Sequence, residues 1–489
     1  MVHDVAISRP MVYISFNAFL FLPTPRAPAR THDRSPPMTS ASPRPAAAPP
    51  TALTTRRVVS FGAGNFSAQL MLQTFATLAV FYYVDTLGAD PRLIAIAMAV
   101  HGVFNALLNP LFGYLSDRTK SRWGRRIPWI MFGAVPLAAA FTLVWIPFAT
   151  TPVGLFWNFL VIVLIYDILF VLVVLNYGSL FPEMFRSTQE RARGSAWRQL
   201  FAIVGLILGV ALGPVLYGAL GWAGMGIVLG ALVLLGFVIA LSGSVERAQD
   251  IPEPIGFGRA LRATLTNRVF LVYVSASFLI QLAIALMQAA MPFFTKYVIG
   301  DTDPGAVSLI LGTMFVVAIP MVYVWSAFIR RFGSKPAILA TVAIFILGLA
   351  PFLLLSGMPA AIGTAALVGV AIAGVLVLLD ILLAEIIDID AERVGQRREG
   401  MYLGVNGFIV RWSVTVQAVA FGLILPWSGY NQAAPVQPES VAVGVRALMS
   451  GLPIAALAIA FVILLAYPHR RPTAVTPETL AEVAGTRED

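Results

Sequence analysis

The chain has no cysteine in 489 residues, and its four histidines are widely scattered. Without cysteine it has no disulfide framework, thiolate metal site or thiol nucleophile, and the histidine spacing fits no metal-ligand pattern. There is no Walker-type Gly-Lys-Ser, and the Gly-x-Gly of FGAGNF (61–66) follows no strand, so nothing indicates a nucleotide loop. No serine shows a partnership with a histidine and an acid. These absences predict a protein that is not an enzyme and holds no metal or cofactor.

Charge is also scarce in this chain. Charged residues make up only 12% of it and hydrophobic residues 58%, and the mean hydropathy is +0.83. A soluble protein could not bury so much apolar surface, whereas a bilayer solvates it. The net charge of +9 lies in short segments between apolar runs and not on one basic face, which argues against nucleic-acid binding.

Apolar runs of membrane-spanning length dominate the sequence, since about 20 residues of helix cross the bilayer core. The runs are too long and too evenly apolar for barrel strands. We therefore predict an all-α membrane protein with twelve transmembrane helices. The twelve runs are 58–84, 92–115, 127–148, 154–181, 199–219, 222–243, 269–295, 305–329, 336–356, 359–386, 401–426 and 443–467.

Lysine and arginine are concentrated in alternate connections between these runs. With Arg198 counted as part of run 5, eighteen lie in the connections that follow runs 2, 4, 6, 8 and 10, whereas the opposite side has only Lys296, in the connection after run 7, and Arg92 and Arg446, in the first residues of runs 2 and 12. Cytoplasmic loops of membrane proteins are enriched in these two residues. Both chain termini are therefore predicted to be cytoplasmic.

The longest internal connection, 244–268, divides the runs six and six. FYYVDTLGADP (81–91) after run 1 is echoed by FFTKYVIGDTDP (293–304) after run 7, because in each a Phe precedes a Gly by seven residues and an Asp-containing turn follows. We predict two pseudo-symmetric six-helix halves, 58–243 and 269–467, joined by a cytoplasmic linker at 244–268. Such halves around a central site are a transporter architecture.

Both ends of the chain differ from the apolar body. Residues 1–57 are rich in Pro, Ala and Arg and are predicted to be a disordered tail, while 468–489 are predicted to be a cytoplasmic tail. The stretch MVYISFNAFLFLP (11–23) is too short to span a membrane, and a protein with a cytoplasmic N-terminus needs no cleaved signal. We hypothesise that translation starts at Met38.

Three stretches carry a family resemblance: NPLFGYLSDRTKSRWGRRIPW (109–129), LFPEMFRSTQERARGSAWR (180–198) and LAEIIDIDAERVGQRREGMYLGVNGFIVR (383–411). Together they resemble the glycoside–pentoside–hexuronide:cation symporters, the melibiose-carrier branch of the major facilitator superfamily. The resemblance covers about 58–467. It implies the fold of that superfamily, a small polar solute such as a sugar or glycoside, alternating access across the cytoplasmic (inner) membrane, and a functional monomer.

Charged residues of these motifs lie at the predicted cytoplasmic ends of both halves. Opposite charges there could bridge the halves while the site opens outward and separate when it opens inward. One exposed ion pair contributes only about 0–1 kcal/mol, but a gate needs a bias of only a few kcal/mol between states. The alternative is that these charges only set topology and solvate the surface. The candidate gate residues are Asp117, Arg125, Arg126, Glu183, Arg191, Asp388, Arg397 and Arg398.

Polar residues inside a span are costly and are therefore functional candidates. His101, Asn105 and Asn109 recur every four residues and form one stripe on run 2, which faces either the central cavity or a neighbouring helix. By the resemblance, Asn105 and Asn109 stand where the melibiose carrier has two aspartates that hold the coupling cation. An amide offers a hard cation only a dipole, which disfavours a sodium site here.

A proton is the remaining candidate for a coupling ion. Asp167 and Asp380 lie in the middle of runs 4 and 10, and an unperturbed histidine titrates near neutral pH. We hypothesise proton coupling through Asp167, with His101 as a possible relay. Uncoupled facilitation stays open, and so does a structural pairing of Asp167 and Asp380 with an intramembrane arginine.

By the resemblance, Arg198 and Arg411 face the centre, and Arg411 replaces the usual lysine of the family. The planar guanidinium group suits a carboxylate, which adds hexuronides to the candidate solutes. Gln69 matches an acidic sugar-binding position of the family, and Asn65 and Tyr177 could supply further hydrogen bonds. Two other functions stay open: a carrier of lysophospholipid or another amphiphile with the same fold, and a membrane receptor that does not transport.

Overall fold

The computed structural model describes residues 53–119, 121–246, 264–394, 399–434 and 436–468. Within these ranges the chain is helical apart from short connections, and no strand occurs. Most of both predicted tails and of the linker, together with Arg397 and Arg398, lie outside the described residues, as does the hypothetical start at Met38. The side chains of Asn109 and Asp117 lie outside the description too.

The first six helices of the described chain run from Thr55 to Gly243. The element Thr188–Gly243 breaks at Gly221, whose φ of 72° is a left-handed conformation that glycine adopts without a steric cost, so that α5 lies before this residue and α6 after it. The other helices are α1 (Thr55–Phe81, continued by a π-helical turn at Tyr82–Thr86), α2 (Pro91–Asp117), α3 (Ile127–Leu143) and α4 (Pro152–Met184).

The remaining six helices follow the linker. They are α7 (Arg268–Phe294, continued by a π-helical turn at Thr295–Ile299), α8 (Pro304–Phe332), α9 (Ser334–Leu349), α10 (Met358–Val394), α11 (Glu399–Trp427) and α12 (Glu439–Leu465). The prediction of an all-α chain is confirmed, and these segments coincide with the twelve apolar runs. Eight helices of the described chain are long and apolar enough to cross a membrane, so the number of twelve spans stays a prediction.

Local sequence signals determine where several helices begin. Five helices follow a residue whose side chain accepts a hydrogen bond from a backbone N–H of the first turn, which satisfies a group that the helix itself leaves unbonded. Proline occupies the next position in three of them, where its missing N–H costs nothing. The capping residues are Asp90, Thr151, Ser187, Asn267 and Asp303, before α2, α4, α5, α7 and α8.

We call α1–α6 the first half and α7–α12 the second half; the inner end of the bundle is the one at which α1 begins, and the outer end the one at which it ends. Within the first half, α4 packs against α2 and α3; within the second, α10 packs against α8 and α9. Three pairs of helices connect the halves, namely α2 with α11, α5 with α8 and α1 with α7.

One face of α11 shows which end of the bundle is open. Near the outer end, a Cβ atom built on Gly422 would lie 2.3 Å from the Cβ of Ala95 in α2, so the two helices touch there. Towards the inner end, Gly404 and Gly407 precede Arg411 by seven and four residues and share its face. A Cβ on either would meet no atom of the described chain within 4 Å. The halves therefore meet at the outer end and separate at the inner end.

The contact between α5 and α8 can be tested with a disulfide. A Cβ built on Gly312 lies 4.0 Å from the Cβ of Ala211, inside the range of about 3.5–4.5 Å that disulfides need. We expect the double variant Ala211→Cys/Gly312→Cys to form an intramolecular disulfide under mild oxidation, measured as loss of thiols that react with a polyethylene-glycol maleimide.

The natural chain supplies no competing thiol, since it contains no cysteine. The control is Ala211→Cys/Gly407→Cys, whose second thiol lies on the open face of α11 and should stay reduced. Persistent free thiols in Ala211→Cys/Gly312→Cys would contradict the described packing of the two halves.

Candidate functional site

Four polar side chains from three helices form a continuous series of contacts inside the bundle. Arg411 Nη1 of α11 donates a hydrogen bond to Asn105 Oδ1 of α2 at 2.9 Å. Asn105 Nδ2 donates to Asp167 Oδ1 of α4 at 3.1 Å, and the other Asp167 oxygen contacts His101 Nδ1 of α2. We call these four residues the central chain. It connects the second half to two helices of the first.

Helix geometry brings the central chain together. His101 and Asn105 are four residues apart and therefore project from one face of α2, and α2 packs against both α4 and α11. The described part of the predicted stripe, His101 and Asn105, thus contacts residues of both α4 and α11. Asp167 is only 2% exposed, whereas Arg411 is exposed. One end of the chain is sealed within the first half, and the other reaches open space.

The contact between His101 and Asp167 requires a hydrogen between the two atoms. A neutral histidine that carries its hydrogen on Nδ1 supplies it, because the carboxylate oxygen can accept. The two side chains are 14% and 3% exposed, so protein atoms and not bulk water surround this contact. The pair is therefore buried within the first half. Asn105 connects it to the guanidinium group of Arg411, because its amide donates on one side and accepts on the other.

Arg198 of α5 lies against aromatic rings of α4. Its guanidinium carbon is 4.6 Å from the ring centroid of Phe181 and 5.4 Å from that of Tyr177, a favourable cation–π arrangement. Its Nη2 donates to Asn65 Oδ1 at 3.3 Å, and Asn65 Nδ2 donates to the Arg198 carbonyl at 3.2 Å. Tyr177 is 1% exposed and donates its hydroxyl hydrogen to the Phe61 carbonyl at 2.7 Å. Tyr177 therefore packs beneath Arg198 rather than facing open space.

Two further predicted residues have few contacts. Asp380 of α10 is exposed, and within the described ranges it has no hydrogen bond or ion pair. A carboxylate facing lipid would be costly, so Asp380 faces the interior space, as Arg411 does. Gln69 of α1 is half-buried, and its side chain has no hydrogen bond to any described residue. The structure thus groups Arg198 with Asn65 and Tyr177 but leaves Gln69 apart from them.

The predicted gate residues just before α3 are bound within the first half. Arg125 Nη2 and Arg126 Nε lie 2.7 and 3.3 Å from Glu183 Oε1 of α4. Their backbone N–H groups donate to the carboxylate of Glu246, just after α6, at 2.8 and 3.0 Å. These contacts hold α3, α4 and the exit of α6 together at the inner end. A bridge from these residues to the second half stays a prediction.

The other predicted gate residues have local positions at the inner end. Arg191 Nε donates to the Phe185 carbonyl at 3.0 Å, so it binds an end carbonyl that follows α4. Asp388 is half-buried near the end of α10. The structure describes neither Arg397 nor Arg398, and the gate role of the whole set stays a prediction.

A second polar group connects the halves at the outer end. Asp85, which is 4% exposed, accepts hydrogen bonds from Lys296 Nζ at 2.6 Å, from the Tyr430 hydroxyl at 2.9 Å and from the Tyr297 hydroxyl. Burial and the negative charge of Asp85 raise the pKa of Tyr430, so its hydroxyl remains a donor. We call these four residues the outer cluster. Three donors from the second half satisfy one acid from the first.

Asp85 is not among the residues that the sequence singles out, and Lys296 enters only as a topology signal. A usable signal lies in the echoed segments 81–91 and 293–304, which carry an acid in one half and, at about the equivalent place, a lysine and a tyrosine in the other. Glu246 is missed for another reason. It lies in the linker, and nothing in the sequence indicates that it reaches the start of α3.

Removing the charge of Asp85 should weaken the closure of the outer end. Asp85→Asn keeps the shape of the side chain but removes the charge that binds Lys296, and hydrogen bonds to charged groups contribute about 1.5–3 kcal/mol each. Thr415 of α11, 4% exposed, lies against Gly102 of α2. We expect a membrane-impermeant maleimide added from the outer side to label Thr415→Cys about tenfold faster in the Asp85→Asn background, as a change of ~1.4 kcal/mol would give.

The matched control is Asp90→Asn in the same outer connection, where Asp90 accepts from the Arg92 backbone at 2.8 Å. Asparagine also caps helices, so this variant should leave the labelling rate unchanged. Equal rates for Asp85→Asn and the natural sequence at this position would contradict a closing role for the outer cluster.

Comparison with known proteins agrees with this geometry. The family described as MFS/sugar transport protein matches residues 60–471. The chain is 24% identical to the isoprimeverose transporter of Lactiplantibacillus pentosus, over 76% of this chain and 80% of that protein. It is 23% identical to sodium-dependent lysophosphatidylcholine symporter 1-A of Danio rerio, over 85% and 86% of the two chains.

A solved structure, that of the nucleoside transporter NupG, superposes with a TM-score of 0.63 at 15% identity and covers 84% of this chain and 100% of that one. Likeness at this level of identity shows the fold alone, and together with the family match it confirms the predicted fold of the major facilitator superfamily. The family match includes all twelve helices except the first residues of α1. The chain therefore belongs to the MFS/sugar transport protein family of multi-pass membrane transporters.

Proposed function

We propose that the protein moves a sugar or glycoside across the cytoplasmic membrane by alternating access and that this movement is coupled to a proton. The observation that carries the proposal is the central chain, which connects the buried pair His101–Asp167 to Arg411 of the other half, and we assign the proton to this pair. The family and the isoprimeverose-transporting relative support a sugar as the solute. The lysine and arginine pattern supports cytoplasmic termini, so that the open inner end faces the cytoplasm.

The central chain offers a physical route to coupling. When a solute binds Arg411 and draws it away from Asn105, positive potential leaves the neighbourhood of Asp167. A carboxylate without a nearby cation is more easily protonated, so a bound solute favours a bound proton. Binding linkage is reciprocal, and therefore a bound proton favours a bound solute by the same factor.

The position of Asn105 supports a proton over sodium. Its Oδ1, the atom that would face a metal cation, accepts a hydrogen bond from Arg411 at 2.9 Å. A sodium ion at that oxygen would have to lie beside a guanidinium group, and Asn105 brings no charge that would offset the repulsion. The two guanidinium groups, Arg198 and Arg411, are suited to solute hydroxyls or to a carboxylate, so hexuronides are included among the solutes.

Removing the acid of the proton-holding pair should separate coupling from movement. We expect Asp167→Asn, reconstituted in proteoliposomes, to lose solute accumulation driven by a pH gradient, because asparagine cannot take up the proton. Exchange of labelled for unlabelled solute should persist, because it needs no net proton movement. Asp303→Asn removes a carboxylate from the outer start of α8 and should retain both activities. Full accumulation by Asp167→Asn would rule out its coupling role.

The alternative functions give different results in the same vesicles. Counterflow with a pentoside, a hexoside, a hexuronide and lysophosphatidylcholine identifies the solute class, and movement of only the lipid would replace the sugar proposal by an amphiphile carrier. Binding without flux would indicate a receptor. Uptake of a sugar that a protonophore leaves unchanged would indicate uncoupled facilitation.

A further inference from the structure

Two opposite charges, Arg198 of α5 and Asp380 of α10, belong to opposite halves and lack counter-ions among the described residues. Arg198 Nε is buried without a hydrogen-bond partner, and Nη2 of the same group binds only the neutral amide of Asn65. Asp380 is exposed, and because a carboxylate against lipid would be costly, we place it towards the interior space. Unpaired charges inside a membrane bundle are costly unless water reaches them. The open inner end provides that water in the present state.

The depth of Asp380 follows from a marker that both halves share. Glu183 binds the residues that begin α3, and Glu385 of α10 accepts from the hydroxyl of Ser334, the first residue of α9, at 2.8 Å. The two acids therefore mark the same level near the inner end. Asp380 precedes Glu385 by five residues, which places it about 7.5 Å deeper at 1.5 Å per residue.

Arg198 reaches the same level in the first half. Its guanidinium group lies over the rings of Phe181 and Tyr177, which precede Glu183 by two and six residues. These offsets correspond to depths of about 3 and 9 Å below Glu183. The cation of one half and the anion of the other are therefore matched in depth to within a few ångströms.

The interior at this level is open. Gly178 of α4 precedes Glu183 by five residues, as Asp380 precedes Glu385, and a Cβ built on it would meet no described atom within 4 Å. The same holds for Gly404, five residues into α11. Space therefore remains between the two halves at the level of the two charges, and closing the inner end would remove it.

We propose that Arg198 and Asp380 form an ion pair across the halves when the inner end closes and that this pair positions the halves in the outward-open state. The inference rests on the alternating access of the proposed function. Closure removes both charges from water, which costs free energy. Their mutual attraction in the closed inner end offsets this desolvation cost. The outer cluster has the reverse state dependence, because its bonds to Asp85 are formed now and break as the outer end opens.

Cross-linking tests the pair directly, because the chain has no native cysteine. The double variant Arg198→Cys/Asp380→Cys is treated with a short bifunctional maleimide in two backgrounds, natural Asp85 and Asp85→Asn, because paired arginine and aspartate side chains hold their Cβ atoms too far apart for a direct disulfide. We expect about tenfold more cross-link in Asp85→Asn, which favours the outward-open state by the factor expected for Thr415→Cys labelling. The pair Ala211→Cys/Gly312→Cys should change in the opposite direction. Equal yields of the Arg198→Cys/Asp380→Cys cross-link in both backgrounds would overturn the proposal.

A second measurement leaves Arg198 intact. Asp380→Asn removes the charge and should lower labelling of Thr415→Cys from the outer side, whereas Asp85→Asn raises it. Asp380→Glu keeps the charge and should preserve the natural rate. A labelling rate that Asp380→Asn leaves unchanged would also overturn the pair, because a carboxylate that acts only on the solute or the proton has no reason to set the resting state.

The cross-linking and labelling measurements need neither solute nor proton gradient. Their outcome therefore tests the ion pair separately from the transport proposal. State-dependent cross-linking together with full accumulation by Asp167→Asn would leave the ion pair standing and refute the coupling role of Asp167. Loss of accumulation in Asp167→Asn without state-dependent cross-linking would do the reverse.

Discussion

A charged side chain inside a bilayer requires a partner or water, and a chain with 12% charged residues has few partners to offer. The buried acids described here are satisfied by groups from other helices. Asp167 contacts residues of α2, Glu183 contacts the start of α3, and Asp85 takes its donors from the second half. The contacts that satisfy these charges therefore also hold helices together. Where such a contact joins the two halves, it stabilises one conformational state of the whole molecule.

Two contacts of this kind lie at different depths. Asp85 and Lys296 hold the outer end closed, while Asn105 and Arg411 join the halves midway between the packed and the open parts of α11. Arg411 lies between these two parts, and Asn105 connects it to the buried Asp167. Under the proposed function, solute binding and proton binding therefore meet at one side chain.

The sequence predicts the helices well because their causes are local. Apolar length, capping residues and proline positions are properties of adjacent residues, and the spacing of His101 and Asn105 is sufficient to place them on one face. Intramembrane cost is also a local argument, and it identifies Asp167 and Arg411 as candidates. The sequence leaves open whether the stripe faces a cavity or a neighbouring helix. His101 and Asn105 contact neighbouring helices, and through Asn105 they connect to the exposed Arg411.

The pairing of these residues depends on packing, which sequence spacing does not reveal. Asn105 and Asp167 are separated by 62 positions, and Arg411 lies 306 positions beyond Asn105. Tyr177 is buried under Arg198 although its hydroxyl is suited to binding a solute. From the sequence, Asp85 of the outer cluster looks like an ordinary loop residue at the end of a helix. Only the structure shows its three donors, which lie far away in the sequence.

The proton-to-solute stoichiometry of the reconstituted protein tests the central chain most directly. In vesicles with opposing gradients of pH and solute, the pH difference at which net flux stops gives the number of protons that move with each solute. A single proton-holding pair predicts one proton per solute. A flux reversal point that does not depend on the pH difference would contradict the coupling of the two halves through His101, Asp167, Asn105 and Arg411.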